Sequence, residues 1–257
     1  MDEPLTNPIA SNTPITPISG IVVVDKPEGV SSMGVCRVVR GKLRTGGAPK
    51  RIKVGHGGTL DPLATGVLVV LVGKATKLCD RVMIGEKRYT AGVDLSAFSE
   101  TDDREGQREE VEVPEPPTGE EIASACARFV GEIMQRPPAY SAMKVNGQRA
   151  YKLARAGMAP RLEPRPVVIH ACEVISYHWP IATLDIRCGK GTYIRSLARD
   201  LGVALGTGGM LASLRRTAVG PFLIDAAVAL DDLPQPMSAS DLTPAERYLQ
   251  PESNSEN

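Results

Sequence analysis

Gly55-His56-Gly57-Gly58-Thr59-Leu60-Asp61-Pro62-Leu63-Ala64-Thr65-Gly66 runs directly into Val67-Leu68-Val69-Val70-Leu71-Val72. The stretch places one carboxylate on a glycine-dense loop ahead of an unbroken apolar run. Glycines at 55, 57 and 58 let the backbone turn tightly and approach a bulky partner. Pro62 biases Asp61 towards an extended conformation. The six apolar residues after Gly66 read as a strand buried on both faces. The expected result is a lone Asp held at the edge of a sheet, beside a loop open to a large ligand. Turn chemistry alone explains an Asp-Pro pair equally well, as a surface turn capping a core strand.

Outward from that strand the chain alternates between strand and helix signals. Residues 21–24 read as a first strand, ended by the Asp25-Lys26-Pro27 turn, and Ser31 or Ser32 caps a helix running to about residue 43. Residues 75–82 look helical and residues 87–95 alternate like a strand. The acidic, proline-rich residues 99–119 read as an extended or mobile connection. An amphipathic helix is expected over 119–131 and a short basic one over 147–157. Residues 167–176 and 181–188 suggest antiparallel strands, 192–201 a helix, and 218–224 a last strand. This mixture predicts an α/β (α+β) fold with a mixed, mostly antiparallel central sheet flanked by helices. One catalytic domain is expected over residues 20–230. The compositions of 1–19 and 231–257 suggest flexible tails.

The formal net charge of zero conceals a strong segregation. Residues 1–20 hold two acids and no base, residues 231–257 six acids and one base, and residues 99–121 ten acids and two bases. The remainder carries 27 bases against 12 acids. A basic body with separate acidic segments suits a polyanionic partner, although charge alone fits an ordinary solvated surface as well. Five widely spaced cysteines without a C-x-x-C fit reduced thiols in the cytoplasm better than disulfides or a zinc site. Three histidines and no H-E-x-x-H make a metal centre unexpected. Neither a Walker A nor a G-x-G-x-x-G pattern is present, so ATP and dinucleotide cofactors are not expected. A membrane span and a secretory signal are not expected either.

Five further blocks accompany the Asp61 loop in a fixed order. They are Asp25-Lys26-Pro27-Glu28-Gly29-Val30-Ser31-Ser32, Lys87-Arg88-Tyr89 with Ala91, Arg136 to Lys144 (RPPAYSAMK) with Gly147, Cys188 to Arg195 (CGKGTYIR), and Leu214-Arg215-Arg216-Thr217. Together they resemble the TruB family of tRNA pseudouridine synthases. The resemblance implies a pseudouridine synthase fold, no cofactor, no metal, and a monomer acting on the T-stem-loop of tRNA, at position 55.

It also implies roles for individual residues. Asp61 would be the essential carboxylate, and Arg195 the guanidinium that contacts it. Tyr89 would stack on the target base, an interaction worth about 1–3 kcal/mol. His56 would touch the rearranged T-loop, while Tyr193 and Leu214 line the pocket. Lys26, Lys144 and Arg149, with Lys152 and Arg155, are candidates for phosphate contacts, which position RNA without reading its sequence. A synthase acting on another RNA is one alternative, and an RNA-folding chaperone with lost or secondary catalysis is another.

The pattern departs from the family at a few places. Gly57 stands where Thr is usual, Ser96 where Gly is usual, and Ser99-Glu100-Thr101 is a looser form of Thr-Asp-Thr. Many bacterial members carry a small C-terminal RNA-binding domain after the Leu-Arg-Arg block. With forty residues after Thr217, that domain is expected to be absent.

Overall fold

The apolar run becomes the middle of a sheet. Strands β1 (Gly20–Lys26) and β2 (Val54–His56) pair antiparallel with β3 (Thr65–Val72), and residues 66–72 of β3 are all buried. Side chains alternate between two cores, as the period of a strand requires. Leu68, Val70 and Val72 face one cluster, and Val67, Val69 and Leu71 face the other. Helix α1 (Ser32–Thr45) packs Val35, Val39 and Leu43 on the first. Its N-cap Ser31 accepts a hydrogen bond from the Gly34 amide at 3.0 Å. A short 3-10 turn (Gly73–Leu78) and α2 (Cys79–Ile84) cover the second with Ala75 and Val82. In this computed structural model the described residues are 18–245 apart from 142, 146 and 159–161, with backbone alone at 144, 145, 149, 151, 152 and 155.

The rest of the chain extends that sheet. After β4 (Lys87–Asp94) come the hairpin strands β5 (Ala97–Ser99) and β6 (Arg108–Glu110). Helix α3 (Gly119–Ala127) follows, opened by a Thr118–Glu121 capping box, then β7 (Gly131–Gln135). A small hairpin of β8 (Lys144–Val145) and β9 (Gln148–Arg149) leads into α4 (Ala150–Arg155). The long β10 (Arg165–His178) and β11 (Ile181–Cys188), helix α5 (Ile194–Leu205), β12 (Met210–Val219), β13 (Phe222–Leu223) and β14 (Val228–Ala229) complete it. The sheet order is β14-β1-β3-β12-β4-β11-β10-β7, with β2 on β3 and β13 on β12. Most neighbours are antiparallel, and β12–β3 and β1–β14 are parallel. Helices α3 and α5 seal the β4-β11-β10 half through Ile122, Cys126, Leu197 and Leu201. Among the described residues no helix is long and apolar enough to cross a membrane.

The parallel β12–β3 contact fixes the loop's exit. Gly66 sits at φ +98, and a Cβ there would lie 2.2 Å from the Arg216 carbonyl oxygen. Only glycine permits that approach.

Three expectations need correction. Residues 231–245 are not a tail: Leu233, Met237 and Leu242 are buried against α1, and Thr243 exchanges two 2.8 Å backbone hydrogen bonds with Ile21. Widely spaced apolar anchors among Pro, Ser and Asp make up this segment. At the other end Ile18 and Ser19 are held too, Ser19 Oγ accepting from the Ala75 amide at 3.2 Å. The remainders of both expected tails, residues 1–17 and 246–257, lie outside the described residues. The acidic connection contains the β5–β6 hairpin and two buried aspartates, because its charges are neutralised by arginines elsewhere in the fold. Finally, the last long strand begins at Met210, not at residue 218, and contains the charged Arg215 and Arg216.

Candidate active site

Asp61 hangs on the loop ahead of β3, Tyr89 projects from β4, and Arg195 lies in the first turn of α5. All three line one cleft of about 310 Å³, with Leu214 and Tyr193 on its walls. That volume suits a small ligand moiety such as a single nucleobase. The sequence therefore predicted five residues that the fold brings together from four separate blocks.

The centre is an ion pair. Asp61 Oδ2 is 3.0 Å from Arg195 Nη2, with the Arg195 side chain 7% exposed and that of Asp61 38%. The open carboxylate is thus reachable from the cleft, while its partner is sunk in protein. Burying a guanidinium requires that its remaining donors be satisfied. Nη1 donates to the Thr101 carbonyl and Nη2 to the Tyr140 carbonyl, both at 3.0 Å. Asp103 Oδ2 lies 3.4 Å from Nη1, and this second carboxylate is only 3% exposed. Asp103 is itself fixed by Thr101 Oγ1 at 2.5 Å and the Glu105 amide at 3.0 Å. Arg195 therefore stands between a buried carboxylate behind and an accessible one in front.

Tyr89 is buried, with Ile186 of β11 and Arg216 of β12 as its cross-strand neighbours. Burial raises its phenol's proton affinity, partly opposed by the Arg216 charge, so the hydroxyl stays protonated at neutral pH. Tyr193 precedes α5 and is held by Gln135, a residue the sequence did not single out. Gln135 Oε1 accepts from the Tyr193 amide at 2.8 Å, and its Nε2 donates to the Tyr193 carbonyl at 3.1 Å. The Arg165 guanidinium lies 5.2 Å from the Tyr193 ring centroid, a cation–π distance. Arg165 also donates to the Gly191 carbonyl at 2.6 Å. Lys87 lines the cleft too, its ammonium donating to the Met83 and Gly85 carbonyls and pushed down to about 8 by burial.

Lys26 is not a phosphate contact. It is 0% exposed, and its ammonium donates to the carbonyls of Val30 at 2.6 Å, Pro27 at 2.7 Å and Pro62 at 3.2 Å. Burial pushes it down to about 8, opposed by the nearby Asp61 charge, so it remains a cation at neutral pH. Its task is to clamp the residue after Asp61 to the end of β1. Lys26→Met is expected to cost about 2–3 kcal/mol, because three carbonyls lose their donor. The salt dependence of RNA binding should stay unchanged, whereas a phosphate contact would lower its slope by about 1. Chemical denaturation and a salt titration separate the two.

His56 ends β2 opposite Val70 and does not line the cleft. Burial first, and then the Arg216 charge, hold its imidazole below the ordinary histidine range. Its Nδ1 is buried without a partner. The side chains of Lys144, Arg149, Lys152 and Arg155 lie outside the described residues.

A second layer stiffens α5. Arg199 Nη1 donates to Asp102 Oδ2 at 2.7 Å, and Nη2 to the Arg136 carbonyl at 3.1 Å. Burial pushes the Asp102 carboxyl up to about 6 from 3.8, despite Arg199. The folded chain therefore binds the proton more tightly than the unfolded one. This group's contribution to stability is complete below about 3.8 and is lost as pH rises through about 6. Asp102→Asn should flatten that part of the stability–pH curve, as unfolding measured across the window would show.

Two family profiles match the chain. One, described as TruB family pseudouridylate synthase (N terminal domain), covers residues 46–194, and one described as tRNA pseudouridylate synthase B C-terminal domain covers residues 195–251. Asp61 and Tyr89 fall in the first and Arg195 and Leu214 in the second, yet all four face one cleft. A protein of Arthrobacter sp. (strain FB24) named tRNA pseudouridine synthase B is 44% identical over 240 residues, spanning 91% of this chain and 76% of the relative. A protein of the same name from Corynebacterium diphtheriae is 45% identical over 222 residues, spanning 84% and 72%. Among solved structures, the crystal structure of a Cbf5-Nop10-Gar1 complex superposes with a TM-score of 0.66 at 29% identity, covering 89% of this chain and 60% of that one.

Proposed function

The chain belongs to the TruB family of pseudouridylate synthases and is an RNA isomerase of the tRNA pseudouridine synthase class; from this premise we propose that its cleft converts the T-loop uridine of tRNA, position 55, to pseudouridine. In that reaction the bond from ribose C1′ to uracil N1 breaks, the base turns, a C1′–C5 bond forms, C5 gives up its proton and N1 takes one up. Atoms balance and no electron is gained or lost, so the chemistry needs a carboxylate, a platform for the detached base and a proton acceptor.

The observation that carries the assignment is the 3.0 Å Asp61–Arg195 pair opening on a cleft walled by Tyr89. A carboxylate set against RNA would be repelled by the phosphates unless a cation held it. Arg195 supplies that cation. Asp61 acts either as a nucleophile at C1′ or as acceptor of a sugar proton, and the geometry serves both. Tyr89 holds the extruded base from one side and places its hydroxyl near the C5 proton. Extrusion costs a few kcal/mol, offset by stacking and pocket contacts.

The target is a loop, because single-stranded bases are the ones that can be splayed into a pocket. Every side chain of the proposed site comes from one chain, so a monomer suffices, and residues 18–245 act as one catalytic unit. A tRNA substrate and five free cysteines favour the cytoplasm. Incubation with a T-arm hairpin, and with the same hairpin carrying cytidine in place of the target uridine, tests the substrate. Modification at that single position, lost with cytidine, is expected; modification elsewhere in the hairpin would overturn the T-loop assignment.

A further inference from the structure

Arg216 also lines the cleft and has no part in the steps assigned to Asp61, Tyr89 and Arg195. In β12 it pairs with Gly66 of β3 on one side and Tyr89 of β4 on the other, directly between the two halves of the site. Its side chain is large and charged, yet the residue is only 1% exposed. Nε donates to the Val67 carbonyl at 2.8 Å, Nη2 to the Gly58 carbonyl at 3.1 Å, and Nη1 to the Thr59 carbonyl at 3.4 Å. Gly58 and Thr59 open the loop that carries Asp61, and Val67 closes it. One planar fork therefore ties the loop's entry to its exit, with Asp61 between.

The charge makes this arrangement costly. Arg195, Arg199 and Arg215 each lie within reach of an aspartate, whereas Arg216 has no carboxylate partner among the described ion pairs. Its charge also acts unfavourably on neighbouring Lys26 and Lys87. A buried cation held by three carbonyls and the Tyr89 hydroxyl, with no carboxylate, is a poor route to stability, and an apolar side chain of similar volume would often serve as well. What an apolar side chain would lack is the fork.

We infer that Arg216 is a positioning residue for the isomerisation, bracing the Asp61 loop through its Gly58, Thr59 and Val67 carbonyls and so fixing the carboxylate relative to Tyr89. The inference rests on the reaction proposed above. Lysine at this position would keep the charge but has a single donor centre, so it cannot hold both ends of the loop together.

Single-turnover kinetics with saturating T-arm hairpin, RNA affinity and thermal unfolding test it on Arg216→Lys and Arg216→Gln. The rate constant should fall about 10- to 100-fold, the scale of displacing a reacting group by about 1 Å. Affinity should hold within about threefold. Arg215→Lys, next in sequence but paired outwardly with Asp25, should leave the rate constant unchanged. A wild-type rate constant with reduced amplitude or melting temperature would mean that Arg216 only stabilises the fold. Weaker binding and a shallower salt slope, at an unchanged rate constant, would make it a phosphate contact. Either result overturns the inference.

Should both variants fail to fold, Gly58→Ala gives the same readout. Gly58 has φ +116, and a Cβ there would sit 3.6 Å from Arg216 Nη1. That contact is an ordinary one, and it is the positive φ that makes alanine strain the backbone at the carbonyl that Arg216 holds; a slower rate at held affinity supports the brace, and a wild-type rate overturns it. Wild-type protein that modifies no uridine would overturn the proposed reaction and the inference with it. A wild-type rate in Arg216→Lys overturns the inference alone.

Discussion

Asp61→Asn is expected to lower the rate of uridine isomerisation by about 10³-fold or more, the scale of removing a group that acts at the reacting bonds. The substitution keeps shape and removes charge. Arg195 would lose the charge of its 3.0 Å partner, though the Asn carbonyl can still accept from it, and would keep the Thr101 and Tyr140 carbonyls and Asp103. The guanidinium therefore stays satisfied, and the melting temperature should move by no more than about 3 °C. Affinity for RNA should be unchanged or tighter, since one negative charge facing a polyanion is gone. Rate, affinity and melting temperature measured on one preparation separate a chemical role from a structural one. A melting temperature that collapses together with activity would place Asp61 among the residues that merely hold the loop.

Arg195→Met should do the opposite to stability. It strands Asp103, whose side chain is 3% exposed, and leaves Asp61 without a counter-charge. Removing one member of a buried pair costs about 3–5 kcal/mol. For a domain of this size that corresponds to a fall of roughly 10 °C in melting temperature. Activity should fall as well, by about 10²-fold or more, since the carboxylate loses the cation that aims it. The double substitution Arg195→Met with Asp103→Asn distinguishes the two losses. Neutralising the stranded carboxylate should recover most of the stability and none of the activity. Recovery of both would mean that Arg195 contributes to catalysis through folding alone.

Part of this site was legible in the sequence because its chemistry is local. Asp61 and the strand behind it lie within one short stretch, where glycine, Asp-Pro and an apolar run each leave a separate mark. Arg195 and Tyr89 stood in blocks whose residue types carry the family pattern. Their meeting is a tertiary fact, supplied by β4, β12 and the start of α5 converging on one cleft.

The residues missed or misread share a physical reason: their partners are far away along the chain. Lysine is almost never fully buried unless paired, so Lys26 reads as surface. Its burial depends on Pro62, 36 residues later, folding back over it. Asp103 sits in a run of acids and looks solvated, until Arg195 reaches it from α5. Arg215 and Arg216 interrupt the apolar alternation of β12, which hid the first half of that strand. One arginine turns outward to Asp25 and the other inward to the loop carbonyls, so no single period describes both. Residues 231–245 have the composition of a tail and the packing of a core segment. Three anchors, Leu233, Met237 and Leu242, are enough to close the cluster beneath α1.

Chemical mapping of pseudouridine in an unmodified tRNA transcript, after incubation with the wild-type protein and, separately, with Asp61→Asn, decides whether Asp61 carries the isomerisation of the T-loop uridine. One new pseudouridine, in the T-loop at position 55, is expected with wild type and none with the variant at matched RNA occupancy. The absence of any modification by the wild type, or the same modification by Asp61→Asn, would contradict that role.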